Sequence, residues 1–143
     1  MLVSWLTFTN ETTTDFTGPL SWIQKPRPLV KYHPAGFTNE TTILGSQFVP
    51  AIPPNGLLDL TNAVVSFVGG NLATDFSNDV LIGADGKVVN QDTNKLTLAI
   101  SKSTGLFNGT VTPPATTKSF RFSGALLQKQ NRGAGFFLGG ERP

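Results

Sequence analysis

Nine acidic residues provide most of the side chains in this sequence that could act as acids, bases or metal ligands. A glycosidase needs two carboxyl groups about 5–10 Å apart across a sugar bond. Glu11 and Glu40 form the best pair by symmetry, because they occupy the same position in the two copies of the hexapeptide FTNETT. Asp15 is a third candidate. Alternatively, each copy is a strand end running into a turn, where Asn and Thr hydrogen-bond to the backbone.

His33 is the one histidine in the chain, so any serine-based triad would have to use it as the base. It stands directly before Pro34, a position typical of an exposed strand end, and no Gly-x-Ser-x-Gly motif accompanies it. The chain has no cysteine. A cysteine nucleophile, a thiolate zinc site and disulfide bonds are therefore excluded.

Calcium chemistry has its best candidates in residues 75–92. Asp75, Asp79 and Asp85 could supply the hard oxygen ligands that Ca²⁺ prefers, with Asn78 and Asp92 nearby. Their spacing does not match the EF-hand pattern. The alternative is that the Asn-Asp and Asp-Gly pairs in this stretch form turns, for which both pairs are well suited.

Aromatic residues offer a further kind of site. Trp5, Trp22 and Tyr32 could stack against a sugar on the face of a sheet. Most of the eleven phenylalanines are expected in the core instead, since aromatic side chains bury large areas.

Composition predicts the fold that must position these side chains. Charged residues make up only 14% of the chain, against about 25% in an average domain, and Thr, Val, Phe and Gly are abundant. No apolar pattern with helical spacing persists over ten residues. We therefore predict a single all-β domain over residues 1–143: an antiparallel meander that forms a β-barrel or β-sandwich, with little or no helix.

The strand pattern divides the chain into three parts. Residues 24–56 hold six of the ten prolines and are predicted to be rich in loops, whereas residues 95–138 form the most regular part of the meander. Asp85-Gly86 predicts a hairpin turn between two apolar runs. Strands are expected at 2–9, 20–23, 29–32, 57–60, 63–68, 80–82, 88–89, 95–101, 105–112, 119–127 and 133–138.

Four motifs carry a resemblance to known proteins. They are DFTGPLSWIQKP and KYHPAGFTNE near the N-terminus, and GLFNGTV and GALLQKQNRGAGFFLGG near the C-terminus. The chain resembles the C-terminal β-domain of large secreted or surface bacterial proteins, in which repetitive or immunoglobulin-like modules precede a terminal domain of unassigned function. The resemblance implies an all-β fold, a location outside the bacterial cell, and a chain that is a fragment of a longer protein. It implies no catalytic residue.

These observations favour a non-catalytic binding or structural module whose ligand is a carbohydrate or another small molecule. The alternative is a small hydrolase of an ester, lactone or glycoside that uses carboxylates and is assisted by calcium. Nucleic acid is not an expected partner, because the eleven Lys and Arg are scattered and the net charge is only +2. No apolar run is long enough for a membrane helix.

The terminal strands predict assembly. Leu2–Phe8 and Gly133–Gly140 carry no charge, and uncharged apolar edge strands readily recruit another strand. We therefore expect a homo-oligomer that forms through these edges. The alternative is that the two strands pair with each other and close a barrel within one chain.

Overall fold

The computed structural model describes residues 1–30, 32–50, 56–70 and 72–138. Strands account for 49% of these residues, all pairings are antiparallel, and the described chain has no α-helix. One short 3-10 helix covers Gln128–Gln130. The prediction of an all-β antiparallel fold is confirmed. Within the described ranges there is no helix with the length and apolar character needed to cross a membrane.

The chain divides into two compact units, residues 1–47 and 48–143, which are described separately. The prediction of a single domain stays a prediction. Unit 1 contains β1 (Leu2–Ser4), β2 (Thr7–Phe8), β3 (Phe16–Gln24) and β4 (Phe37–Gly45). Unit 2 contains β5 (Asn62–Phe67), β6 (Phe76–Ile82), β7 (Val88–Asn90), β8 (Leu96–Ile100), β9 (Leu106–Val111), β10 (Phe120–Leu127) and β11 (Arg132–Phe137).

In unit 1, β3 is the central strand, with β4 on one side and β1 followed by β2 on the other. The predicted continuous strand 2–9 is broken at Trp5, opposite Gly18 and Pro19, although β1 and β2 keep one register against β3. Pro19 has no N–H to donate, and the Ser4 hydroxyl donates to its carbonyl at 2.7 Å. Gly18 leaves the space that the Trp5 backbone needs, since a Cβ there would lie 1.9 Å from the Trp5 oxygen.

The two copies of FTNETT adopt different structures. The first leaves β2 at Phe8 and continues as a loop, whereas the second begins β4 and pairs residue by residue with β3. The symmetry used to pair Glu11 with Glu40 is therefore absent, and the alternative of a strand end running into a turn is wrong for the second copy. The second copy meets a full-length strand with unpaired backbone groups, and pairing with that strand outweighs the turn preference of Asn and Thr.

Three other strand predictions need correction. Residues 24–56 are loop-rich as predicted, but they also contain β4. Leu29 and Val30 lie in a turn, where the Val30 N–H donates to the Arg27 carbonyl at 3.1 Å, and Lys31 lies outside the described residues. Residues 57–60 form no strand, although Leu57 is buried. Apolar residues there fill the core from irregular backbone, which sequence alternation alone cannot distinguish from a strand.

Unit 2 is an antiparallel meander in two sheets, ordered β5-β6-β7 and β8-β9-β10-β11. The predicted hairpin at Asp85-Gly86 is confirmed, with Gly86 at a φ of 76°. The inner faces follow the predicted alternation, for example Phe107 and Val111 on β9. All eight buried apolar side chains of the described chain lie in this unit: Leu57, Phe67, Val80, Ile82, Leu96, Val111, Phe122 and Leu126.

An asparagine network holds the corner between the two sheets. Asn78 on β6 is completely buried. Its side-chain N–H donates to the side-chain oxygen Oδ1 of Asn90 at 3.0 Å, and its own Oδ1 accepts from the side-chain N–H of Asn94 at 2.8 Å. The Asn90 amide in turn donates to the backbone carbonyl of Asn94 at 2.7 Å. Buried amides are tolerated only when they are hydrogen-bonded, so this network fixes how β7 leads into β8.

We expect Asn78→Ala to lower the free energy of unfolding by about 1–3 kcal/mol, because it leaves buried partner groups without a hydrogen bond. Denaturant titration followed by tryptophan fluorescence and circular dichroism measures the change. The matched control is Asn108→Ala, which removes an exposed amide from the outer face of β9 and should change stability by less than about 0.5 kcal/mol. Equal effects of the two substitutions would contradict a structural role for the network.

Candidate functional site

Unit 2 contains an apolar cavity of about 460 Å³ between its sheets. The floor is formed by inward side chains such as Val80, Leu98 and Phe122, and two strands supply consecutive residues to the walls. These are residues 63–68, which cover most of β5 and the residue after it, and residues 132, 133 and 135–137 of β11. Successive side chains of a strand point to opposite faces, so consecutive residues line one cavity only where it reaches the edge of that strand. We call this cavity the β5–β11 slot.

Both walls of the slot are sheet edges. In the described residues β5 pairs only with β6, and β11 pairs only with β10. The Cα atoms of β5 and β11 lie more than 8 Å apart along nearly all of their length, which is wider than the spacing of about 5 Å between paired strands. The two edges therefore face each other across a gap.

The two edges run in the same direction. At their N-terminal ends, the Asn131 amide donates to the Asp59 carbonyl at 3.0 Å and accepts from the Asp59 N–H at 2.8 Å. At their C-terminal ends, the rings of Phe67 and Phe137 meet edge-on with centroids 6.0 Å apart. These two contacts join β5 and β11 at either end and leave the slot open between them.

The ladder geometry shows which backbone groups of β5 face the slot. The Ile82 N–H donates to the Thr61 carbonyl at 2.8 Å, in register with the β5–β6 ladder. Because hydrogen-bonded and non-bonded pairs alternate in an antiparallel ladder, the backbone groups of Val64 and Ser66 point away from β6 and into the slot.

The same reasoning applies to β11. The Leu126 N–H donates to the Gly105 carbonyl at 2.8 Å, so alternate residues of β10 bond to β9 and the others to β11. In the β10–β11 register this leaves the backbone N–H and C=O groups of Gly133, Gly135 and Phe137 directed into the slot. The slot thus has an apolar floor and two walls of backbone hydrogen-bonding groups.

Arg132 is the one charged residue among the described residues that line the slot. Its Nε donates to the Gln130 side-chain oxygen at 2.7 Å, which orients the guanidinium at the N-terminal end of β11. Asp59 lies near the same end but does not line the cavity. The mouth of the slot at this end is therefore lined by a cation.

The carboxylates predicted for catalysis lie in different parts of unit 1. Glu11 is in the exposed loop beyond the Gly45 end of the sheet, while Glu40 is exposed within β4 and pairs with Ser21. Five residues of strand, about 17 Å, separate Glu40 from Gly45. The Asp15 carboxylate accepts the Gln47 N–H at 2.6 Å and so ties the loop to the end of β4. The structure does not bring Glu11 and Glu40 together across a substrate site.

The other candidates of unit 1 form a partial cluster. His33 has a φ of 52°, and its ring packs edge-on against Phe37 with centroids 5.0 Å apart. Trp22 contacts the same ring, also at 5.0 Å. Tyr32 is exposed beside them in sequence. Trp5 is 82% exposed in the break between β1 and β2 and makes no described ring contact, so it does not form one platform with Trp22.

Two of the three candidate calcium ligands serve separate turns, and the third lies within a strand. Asp75 accepts the Gly69 N–H at 2.9 Å, and Asp85 accepts the Lys87 N–H at 3.0 Å. Asp79 lies exposed within β6, where the Asp92 carboxylate accepts its N–H. Among the described residues no group of three or more His, Asp or Glu side chains is placed to hold a metal ion. The structure therefore does not assemble these residues into a calcium site.

Sequence reasoning missed the slot as a site, although one signal pointed to it. The sequence predicts an uncharged edge strand over residues 133–140, and residues 63–68 share this lack of charge. That β5 lies opposite β11 could not be predicted from the sequence, because the two strands are about seventy positions apart and do not pair.

The comparisons with known proteins add no relative. Neither the protein-family models, nor the curated proteins, nor the solved structures yield a match to this chain. The geometry of the slot is therefore the basis for inferring a function.

The aromatic contacts that fix one end of the slot lead to a prediction. Phe67 is 3% exposed and contacts the rings of Phe76, Phe120, Phe122 and Phe137. We expect Phe67→Ala to lower the free energy of unfolding by about 3–5 kcal/mol, and Phe67→Leu by less, as measured by denaturant titration. The control Phe136→Ala removes a ring that is 65% exposed and should have a much smaller effect. A similar loss in both alanine variants would show that the Phe67 cluster does not hold the sheets together.

Proposed function

We propose that this chain is a non-catalytic binding module and that the β5–β11 slot of unit 2 is its ligand site. The observation that carries the proposal is the open apolar cavity of about 460 Å³ between two unpaired strand edges. Its volume falls within the range of about 300–1,000 Å³ that is typical of ligand pockets. An apolar floor with a few polar groups at the rim is also the usual composition of such pockets.

The finer parts of the proposal depend on the sequence. The resemblance to surface proteins supports a location outside the bacterial cell. A carbohydrate ligand would use the Trp22 and Phe37 rings of unit 1, whereas the slot favours an apolar ligand. The homo-oligomer through edge strands stays a prediction, and β11 is one of the edges that support it. The carboxylates predicted for the hydrolase lend it no support, because Glu11 and Glu40 lie in different parts of unit 1.

A fluorescent apolar anion tests whether the slot binds ligands. We expect 1-anilinonaphthalene-8-sulfonate to bind the native protein saturably, at one site, because its rings fit the apolar floor and its sulfonate can approach Arg132. Ala63→Phe places a ring in the cavity and should weaken binding roughly tenfold, which corresponds to about 1.4 kcal/mol. Fluorescence titration measures both constants.

The matched control is Ala99→Phe, which adds the same ring to the exposed outer face of β8 and should leave binding unchanged. Near-ultraviolet circular dichroism and a cooperative unfolding transition confirm that each variant is native, because this probe also binds partly unfolded chains. Failure of the native protein to bind, or equal weakening by both substitutions, would overturn the slot as the ligand site.

A further inference from the structure

The slot presents more backbone hydrogen-bonding groups than a small apolar molecule could satisfy. Val64 and Ser66 direct their N–H and C=O groups into it from β5, and Gly133, Gly135 and Phe137 do so from β11. Apart from Arg132, neither strand carries a charged residue, although charge is a common protection of edges against pairing with another chain. From these features we propose that the occupant of the slot is an extended peptide strand that inserts antiparallel to both edges and bears a carboxylate at its C-terminal end. This inference rests on the proposed function.

The side-chain alternation of the two edges suits one inserted strand. The slot-facing backbone groups of β5 belong to residues with exposed, outward side chains, such as Val64. Those of β11 belong to residues on the inner face, such as Gly133 and Gly135, which pair with Leu126 and Gly124. In a strand inserted between them, residues with outward side chains would direct their backbone groups to β5, and residues with inward side chains would direct theirs to β11. Backbone and side-chain directions alternate together along a strand, so one peptide can meet both requirements. Both ladders can therefore form at once without a shift in register.

The inner face of β11 gives the inserted strand an apolar ring to pack against. Gly133 has no side chain, and the Phe107 ring lies where its side chain would begin, 3.0 Å from the position of a Cβ. Because Phe107 also lines the cavity, alternate apolar residues of the peptide can pack on Phe107. Each wall is six residues long, or about 20 Å. A peptide of six to nine residues therefore spans the slot.

The direction and the charge follow from the same geometry. Because β5 and β11 run in the same direction, a strand antiparallel to both places its C-terminal end beside Arg132 and Asn131. Arg132 is the cation of the described lining, so a carboxylate at this end of the peptide is complementary to it. This mode is β-strand addition, in which main-chain hydrogen bonds provide affinity and side-chain pockets provide specificity.

The test uses a defined peptide and the full chain. The probe is a nine-residue peptide that alternates Val and Thr, carries two lysines at its N-terminus for solubility and ends in a free carboxylate. We expect it to displace 1-anilinonaphthalene-8-sulfonate and to slow the amide hydrogen exchange of Val64, Ser66, Gly133 and Gly135, as followed by NMR. The same peptide with N-methyl groups on alternate residues keeps its side chains but cannot form the ladders, and it should not bind.

Two further measurements test direction and charge. A nitroxide at the C-terminal end of the peptide should broaden the resonances of Asn131 and Arg132. A nitroxide at the N-terminal end should instead broaden the resonances of Phe137. Replacing the terminal carboxylate with an amide should weaken binding about two- to fivefold, the range for an exposed ion pair. Arg132→Gln should abolish that difference, whereas the control Lys129→Gln, a neighbouring cation outside the described lining, should preserve it.

The outcomes separate this inference from the proposed function. If the fluorescent anion binds but the peptide neither displaces it nor protects the edge amides, the slot takes small amphiphiles and the strand inference is wrong. If neither probe binds, both proposals fail. If the C-terminal label broadens Phe137 and the N-terminal label broadens Asn131 and Arg132, the peptide lies parallel to the two edges and the inference is wrong. A dimer in sedimentation velocity that excess peptide does not dissociate would identify a second copy as the occupant and would also overturn it.

Discussion

The two outer strands of unit 2 run in the same direction, and this constraint governs everything that the unit can do. Each neighbouring pair within its two sheets is antiparallel, yet β5 and β11 are tied to each other at like ends by the Asn131–Asp59 hydrogen bonds and the Phe67–Phe137 ring contact. Such a pair cannot complete the antiparallel ladder. Unit 2 therefore keeps these two strand edges unpaired over an apolar floor, and the antiparallel strand that we propose would pair with both of them.

The contacts that hold this arrangement open are of two kinds. Two side-chain amides hydrogen-bond to backbone groups as a neighbouring strand would. Gln128 bonds to both the N–H and the carbonyl of Val49, and Asn131 bonds to both the N–H and the carbonyl of Asp59. Inside the unit, the rings around Phe67 and the buried amide of Asn78 fix the two sheets against each other. Walls held in place by these contacts suit the ligand site that we propose, because the entropic cost of ordering them is met in folding rather than in binding.

Unit 1 shows how strongly pairing overrides local preference. In the first copy of the six residues Phe8 ends β2 and residues 9–13 form a loop, whereas the second copy is the start of β4 at 37–42. Only the second copy pairs along its whole length with β3. The carboxylates that the repeat presents are consequently not equivalent, and a catalytic pair inferred from their symmetry does not assemble. The aspartates of residues 75–92 illustrate the same point. Asp75, Asp85 and Asp92 each accept a backbone N–H, and Asp79 lies on an exposed strand face.

The sequence by itself determined the class of fold, the antiparallel meander of its C-terminal half, the hairpin at Asp85-Gly86 and the inward face of β9. These features follow from composition, the period of two and local turn chemistry, all of which act over a few residues. The tertiary structure alone decided that β4 would form from a polar segment, that Leu57 would be buried without a strand, and that β5 would lie opposite β11. Each of these depends on which distant backbone groups are left unpaired, and hydrogen bonding across the chain, unlike alternation along it, leaves no local pattern in the sequence.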